Sequence, residues 1–265
     1  MDMVNLKKSI ALWIALAVLP LQAQGRAEQN LQSENTQALS PQAEQLFALA
    51  NQTRAAQGLG TLKWDPALAT AALKHCQRMV VEGPISHRYA GELDLSERAG
   101  QAGAHFSLIE ENIAVGPSPA NIHTGWMNSP PHRANLLSPD IDRVGIAVVS
   151  RGEMMFAVAD YSRAVTALTP AQVEATFAEM LRAKGLTIIK DASQARAYCA
   201  SSGRLKGLDT PGFVMRWQNS DVSQMPPDLV KNVASGQYRQ AAVGSCPAQD
   251  VEGAFTVYRV AVLLY

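Results

Sequence analysis

Four dipeptides in which a polar residue precedes proline constrain the fold of this chain most strongly. They are Ser40-Pro41, Asp65-Pro66, Ser118-Pro119 and Thr169-Pro170. Ser, Thr and Asp side chains cap the first turn of a helix, and proline suits the first helical position, where a backbone N–H has no partner. The sequence therefore predicts four helices that begin at these points.

The residues that follow these starts predict where the first helices end. Apolar residues recur at helical spacing after Pro41 until Gly58, and the second helix ends near Gly83. A short helix runs from Ser118-Pro119 through Trp126, and Pro130-Pro131 interrupts it before residues 132–137. Trp126 is predicted to be a core anchor at the end of that helix.

Two runs of β-formers close the first part of the chain. Val144 to Val149 and Met154 to Tyr161 flank Arg151-Gly152-Glu153, which predicts a hairpin. The region 84–117 has weak periodicity and is predicted to be loops and short helical turns. Helices, a loop-rich middle and a closing hairpin indicate a layered α+β domain.

The N-terminus has the order of a secretory signal. Lys7 and Lys8 precede an apolar run from Ile10 to Leu19, and small residues follow up to Ala27. The run is shorter than the roughly 20 residues that span a bilayer. We expect a signal peptide over 1–27, a flexible leader over 28–39 and a secreted or periplasmic protein without a stable membrane anchor after cleavage. An uncleaved anchor is the alternative.

Charge and histidine placement limit the chemistry. The chain carries 23 Lys+Arg and 23 Asp+Glu, so bulk charge gives no reason to expect nucleic acid as a partner. All five histidines lie in the first half, at positions 75, 87, 105, 123 and 132. Imidazole chemistry is therefore confined to that half.

The three cysteines divide into two groups. Cys199 and Cys246 lie in the C-terminal half and could form one disulfide in an oxidising compartment. Cys76 falls on the apolar face of the second helix, which predicts a buried, inert thiol.

Five ordered blocks of the sequence resemble a known family. The blocks are Ser86-His87, Ser96-Glu97-Arg98 with Ala102-Gly103, Glu111-Asn112-Ile113-Ala114, the run from Trp126 to Leu137, and Val144-Gly145-Ile146-Ala147. Together they resemble a bacterial domain of the CAP superfamily (SCP domain), which groups cysteine-rich secretory proteins, antigen 5 and pathogenesis-related proteins. The resemblance implies a three-layer α-β-α sandwich over 40–163, with a cleft lined by two histidines and two acidic residues.

Carried over position by position, the resemblance implies a cleft formed by His87, Glu97, Glu111 and His132. Glu92 lies near Glu97 in the sequence. The family usually has glycine before the Glu-Asn pair, whereas this chain has Glu110, which adds a carboxylate or changes a turn at the cleft edge.

Imidazoles and carboxylates suit two kinds of site. His87 and His132 could ligate Zn²⁺ or another divalent cation with carboxylate support, or the four groups could satisfy one another by hydrogen bonding without a metal. The favoured function is a non-catalytic binding module for an extracytoplasmic lipid, glycan or protein, as the resemblance implies. The alternative is a metal-dependent, peptidase-like hydrolase with Glu97 or Glu111 as base, although a His-Glu-x-x-His motif is absent.

The second half, 164–265, echoes the first. Leu168-Thr169-Pro170, Phe177 and Gly185-Leu186 parallel Leu39-Ser40-Pro41, Phe47 and Gly58-Leu59, and further echoes pair Arg54 with Arg182, Cys76 with Cys199 and Trp126 with Trp217. The echoes predict either a degenerate CAP-like repeat or an unrelated small α+β domain. The run from Phe255 to Leu264 is predicted to be a buried strand.

Overall fold

The computed structural model describes residues 40–201, 203, 205 and 210–265. The predicted signal peptide (1–27) and leader (28–39) lie outside these residues. Within the described ranges, none of the helices has the length and hydropathy that crossing a bilayer requires. The chain from residue 40 onward carries two four-stranded sheets, each with its own helices.

The polar-proline pairs begin helices as predicted. The helices of the first half are α1 (Pro41–Ala56), α2 (Pro66–Glu82), α3 (Leu95–Gln101), α4 (Pro119–Asn128) and α5 (Pro130–Leu136). Ser40, Asp65 and Ser118 accept hydrogen bonds from backbone N–H groups in the first turns of α1, α2 and α4. Pro130 starts a helix of its own because the missing N–H of a proline costs nothing at a helix start.

The first sheet has the strand order β1-β3-β4-β2. Its strands are β1 (Lys63–Trp64), β2 (Phe106–Gly116), β3 (Arg143–Arg151) and β4 (Met154–Ala164). β1 pairs parallel to β3, whereas β4 pairs antiparallel to both β3 and β2. The predicted hairpin is confirmed as β3 and β4, with Gly152 at a positive φ in the turn.

Helices cover both faces of this sheet. α1, α4 and α5 pack on one face around Trp126, Ile146 and Tyr161, and the prediction of a buried Trp126 is confirmed. α2 packs on the other face, where Cys76 and Met79 contact Val158. Residues 40–163 therefore form the expected three-layer α-β-α sandwich. Burial raises the pKa of the Cys76 thiol to about 12, as expected for an inert core cysteine.

The prediction for 84–117 is wrong in its second part. Residues 106–116 form the eleven-residue strand β2, which pairs with β4 along almost its whole length. Polar residues at 110, 111 and 112 interrupt the apolar alternation that announces a strand, so the periodicity is weak. Glu111 contacts His87 and Asn112 contacts the carbonyl of His132, so these polar residues make contacts with neighbouring elements.

The second half repeats the topology of the first. Its elements are α6 (Pro170–Ala183), β5 (Thr187–Ile188), α7 (Ser193–Ala200), β6 (Phe213–Asn219), α8 (Pro227–Ala234), β7 (Gln240–Cys246) and β8 (Tyr258–Leu264). The strand order is β5-β7-β8-β6, with one parallel pair followed by two antiparallel pairs, as in the first sheet. α6 and α8 cover one face and α7 covers the other. This identity of topology favours the degenerate repeat over an unrelated domain.

Two of the sequence echoes are not structural equivalents. Trp126 lies in a helix, whereas Trp217 lies in strand β6. Gly145 of β3 abuts Leu68 and Ala69 of α2, and Gly244 of β7 abuts Ala195 and Arg196 of α7 in the same way. In that register Cys199 matches Ala72 rather than Cys76. Short sequence similarities between two segments of different length can pair residues that are not structurally equivalent, because no local feature fixes the alignment.

The predicted disulfide between Cys199 and Cys246 is confirmed. It joins α7 to the end of β7, and the two Cα atoms are 5.8 Å apart. The disulfide therefore links α7 to the end of β7, an inner strand of the second sheet.

A segment of the second half, Gly253–Thr256, packs on the first half. Ala254 lies against Gly100 and Gly253 lies against Ser96, both in α3. The Phe255 ring contacts Phe106 edge-on at 5.3 Å between centroids, and the Thr256 N–H donates to the Phe106 carbonyl over 2.9 Å. These contacts support α3 and the start of β2.

Candidate functional site

The candidate cleft is built around Glu111 in the middle of β2. Side chains alternate along a strand, so Glu111 and Ile113 share the face that packs on α2, while Glu110 and Asn112 point to the opposite face. The loop 83–94 and helix α3 border Glu111. Its side chain is only 3% exposed.

Two donors occupy the Glu111 carboxylate. Oε1 lies 2.7 Å from Nδ1 of His87, and Oε2 accepts from the Arg98 guanidinium over 2.6 Å. The His87 side chain is 59% exposed. A buried carboxylate thus orients an exposed imidazole, an arrangement that fixes which ring nitrogen faces the solvent.

Arg98 connects this carboxylate to the loop. Its guanidinium donates to the carbonyls of His87 and Leu93 over 3.1 and 3.2 Å, in addition to Glu111. The side chain is 7% exposed. One buried arginine therefore holds both ends of the loop segment 87–93 against the strand.

A second buried pair supports the same loop. His75 of α2 is completely buried, with Nδ1 2.8 Å from Glu92 Oε1 and Nε2 3.0 Å from the carbonyl of Ser86. Both ring nitrogens face acceptors, so the arrangement is fully satisfied when the ring carries two protons. Burial alone would raise the pKa of Glu92, but hydrogen bonds from His75 and the Tyr89 N–H, with nearby positive charge, hold that pKa below its usual value.

A fully buried carboxyl lies behind the cleft. Asp160 of β4 is the cross-strand partner of Glu111, and among the described residues neither of its carboxyl oxygens has a hydrogen-bond partner. Burial raises the pKa of Asp160 well above its usual value, and the charge of Glu111 raises it further. Asp160 is thus held in its neutral form over a wider pH range than an exposed aspartate.

His132 reaches the cleft from α5. Asn112 donates to the His132 carbonyl over 2.9 Å, and Asn135 donates to the Glu111 carbonyl over 3.2 Å, so two amides fix α5 on β2. Burial lowers the pKa of His132, and the charge of His87 lowers it further. The two imidazoles are therefore electrostatic neighbours.

Glu97 has a different set of contacts. Its carboxylate accepts from the backbone N–H of Asp94 over 3.0 Å, and the Asp94 side chain accepts from the Glu97 N–H over 2.9 Å. This reciprocal pair is a capping box at the start of α3. The carboxylate bonded to His87 is Glu111, and the one bonded to His75 is Glu92.

The contacts of the cleft bear on both kinds of site stated above. In the described part of the chain, no group of three or more His, Cys, Asp or Glu side chains that could hold a metal ion is found. The Glu111 oxygens accept from His87 and Arg98, so this carboxylate is engaged in hydrogen bonds within the protein. A carboxylate bonded to Nδ1 of a histidine orients the ring in a hydrogen-bonded cluster and also behind a metal-bound imidazole.

Sequence reasoning did not find His75, Arg98 or Asp160 as parts of this site. A signal existed for His75, because positions 68, 72, 75 and 79 form one helical face and a histidine there is buried. Arg98 and Asp160 gave no such signal, since their partners lie on other elements. The other two histidines are outside this group of residues. His123 contacts Thr53, and His105 contacts Thr256.

Part of the chain matches a family model. The model of the cysteine-rich secretory protein (CAP) family matches residues 47–161. The uncharacterized membrane protein YlbC of Bacillus subtilis is 33% identical over 107 residues, and the uncharacterized protein YkwD of the same species is 30% identical over 115 residues. These alignments cover 40% and 42% of this chain but only 31% and 44% of the two curated relatives.

Solved structures of related description align with a similar part of the chain. An extracellular protein with an SCP domain from Bacillus anthracis is 28% identical with a TM-score of 0.45, covering 49% of this chain and 43% of the other. A cysteine-rich secretory protein from Staphylococcus aureus is 22% identical with a TM-score of 0.39, covering 46% and 38%.

Proposed function

Because residues 47–161 form a CAP domain of the bacterial type, we propose that this chain is an extracytoplasmic binding protein whose cleft at His87 and His132 holds a ligand without catalysis. The observation that carries this proposal is that the Glu111 carboxylate is buried and already accepts hydrogen bonds from His87 and Arg98. The strongest candidate for a general base is therefore committed to protein contacts.

A hydrolase that uses Glu97 or Glu111 as its base needs a carboxylate that this cleft withholds. A general base must come within hydrogen-bond reach of the water or substrate proton that it removes. Glu111 is 3% exposed, and Glu97 caps a helix. The group open to a ligand is the imidazole of His87, which Glu111 holds in one orientation.

The rim of the cleft indicates the class of ligand. When Nδ1 of His87 donates to Glu111, Nε2 of the neutral ring presents a lone pair to the solvent. Ile85 and Leu93, on the same loop as His87, are exposed large apolar side chains. A hydroxyl or amide donor on a partly apolar body suits this surface, whether it belongs to a lipid, a glycan conjugate or a protein.

The disulfide supports an extracytoplasmic location. Bonds such as Cys199–Cys246 persist in oxidising compartments and are rare in the cytosol. The signal-like N-terminal sequence points in the same direction.

A titration with n-octyl β-glucoside below its micellar concentration tests this binding role. The probe joins hydroxyl donors to an alkyl body, and NMR shift changes at the histidine side chains report its contact. We expect saturable shift changes at His87 and His132 in the wild type, together with backbone amide shift changes in the loop 83–94 that the His87→Ala/His132→Ala variant lacks. His105→Ala is the matched control, because His105 is exposed and contacts Thr256 instead. Equal binding by both variants, or none by the wild type, contradicts the proposed cleft.

Metal analysis and hydrolysis assays test the hydrolase alternative. The purified wild type and the double variant are assayed on casein and on p-nitrophenyl butyrate, with and without added Zn²⁺. We expect no stoichiometric metal and no turnover that depends on the two histidines. Stoichiometric zinc, together with hydrolysis that the double variant loses, would overturn the binding role.

A further inference from the structure

A second groove lies on the opposite side of β2 from the cleft. Its volume is about 610 Å³, and its walls include Met127, Pro130, Ala134 and Leu137 from α4, α5 and the residues beside them. Glu110 and Arg133 also line it. Because neighbouring strand residues point to opposite faces, Glu110 enters this groove while Glu111 enters the cleft. The groove is therefore separate from the ligand site proposed above.

Glu110 has a carboxyl oxygen that the protein leaves without a partner. Its Oε2 atom is buried from solvent and makes no hydrogen bond among the described residues. The ion pairs found in that part of the chain involve other acids, so no arginine or lysine neutralises Glu110. A buried carboxyl oxygen without a donor costs free energy, and a positive charge placed beside the carboxylate lowers that cost.

The charges around Glu110 make the inner part of the groove acidic. Burial raises the pKa of Glu110, and the carboxylate of Asp140 raises it further. Asp140 itself pairs with Arg163 at the surface. Arg133 is exposed, at the edge of the groove, and is the one cation among the residues that line it.

We propose that this groove binds a small organic cation, an ammonium or guanidinium group carried on an apolar body. The cationic head pairs with the carboxylate of Glu110, and the apolar body lies against Met127 and Leu137. A neutral head gains nothing from the negative charge, and an anion is repelled by Glu110 and Asp140. This inference goes beyond the proposed function, since it concerns another face of the sheet and another ligand class.

Calorimetric titration with n-octylammonium tests the groove. We use about pH 8, above the carboxylate range and below the pKa of an alkylammonium. We expect saturable binding that Glu110→Gln weakens by about 10- to 100-fold, the range for losing a charge-assisted hydrogen bond. n-Octanol is expected to bind more weakly than n-octylammonium, and n-octanoate most weakly.

Four further variants test whether octylammonium binds in this groove. Glu179→Gln removes an exposed charge in the second half and is expected to bind like the wild type. Ala134→Phe fills the groove without changing charge and is expected to abolish binding. Arg133→Gln removes the competing cation and is expected to bind at least as tightly as the wild type. His87→Ala alters the cleft and is expected to leave octylammonium binding unchanged.

Several outcomes would overturn the inference. They are equal affinity for octanol and octylammonium, undiminished binding by Glu110→Gln, or loss of binding in Arg133→Gln. Thermal unfolding of each variant shows whether it is folded. Because Glu110→Gln keeps the shape of the side chain, we expect it to unfold near the wild-type temperature.

Discussion

At the scale of single residues, Asp160 is a carboxyl group that folding removes from water. It is fully buried, beside Glu111, and its oxygens have no hydrogen-bond partner among the described residues. A carboxyl whose pKa is raised by folding makes the folded state bind a proton that the unfolded chain releases. The native state therefore loses stability as pH rises from the unfolded pKa toward the raised folded pKa.

Asp160→Asn is expected to remove this pH dependence. Between about pH 4 and the raised pKa of Asp160, the wild type should lose up to roughly 1.4 kcal/mol of unfolding free energy per pH unit from this group. The asparagine variant should lack that slope and be the more stable of the two at neutral pH. Urea unfolding across pH measures both curves. Asp228→Asn, at an exposed position on α8, is the control and should leave the pH dependence of the unfolding free energy as in the wild type. Parallel curves for the wild type and Asp160→Asn would contradict the interpretation.

The individual site residues were predictable to different degrees. His87 and Glu111 were named from the family resemblance, and the structure brings them to 2.7 Å. Arg98 and Asp160 could not be identified as site residues, because Arg98 meets Glu111 only when α3 lies beside β2, and Asp160 meets it only when β2 pairs with β4. A local sequence pattern carries no information about such cross-element partners.

At the scale of elements, the helices were predictable because their starts are local. A capping side chain and a proline act within one turn, whatever packs on the helix later. The strand β2 was missed because polar residues interrupt both of its faces. Glu110 and Glu111 occupy adjacent positions, so neither face of the strand shows a continuous apolar row there. The alternation of apolar and polar residues that predicts strands is therefore absent.

Close packing between a strand and a helix makes two glycines essential. A Cβ at Gly145 would collide with the backbone of α2, and one at Gly244 with the backbone of α7. We expect Gly145→Ala to destabilise the protein by about 1–3 kcal/mol, as overpacking does. Gly125→Ala is the matched control, since its Cβ meets nothing within 4 Å. It should stabilise α4 by about 0.5–1 kcal/mol. Chemical denaturation measures the unfolding free energy of both variants. Equal changes in Gly145→Ala and Gly125→Ala would contradict the role of close packing at Gly145.

At the scale of the whole molecule, the two halves have the same strand order but different buried polar residues. Arg54 in α1 is buried and donates to carbonyls at 60, 136 and 138, whereas its sequence counterpart Arg182 in α6 is exposed. The second unit has no histidine and a disulfide instead. Its sheet has the same strand order as the first, and its contacts with the first half include the packing of Gly253–Thr256 on α3 and β2.

The segment Gly253–Thr256 makes these packing contacts. Replacing Phe255 with alanine removes its contact with Phe106 and is expected to cost roughly 1–3 kcal/mol. Because the segment also covers α3, hydrogen exchange should increase in α3 and at the start of β2. Val230→Ala, at an exposed position in the same half, should have neither effect. Faster exchange confined to the second half would show that the segment does not support α3.

The order of synthesis gives this packing a further meaning. Residues 253–256 are made long after every residue of the cleft. Until they arrive, the helix that carries Arg98 lacks the covering of Ala254 on Gly100. A fragment that ends before residue 253 therefore contains the whole family match and all the cleft side chains. In that fragment, Arg98 still bonds the loop 87–93, but the helix that carries Arg98 has lost the residues that pack on it. A fragment cut at the family boundary is thus a poor substitute for the full chain in ligand screens.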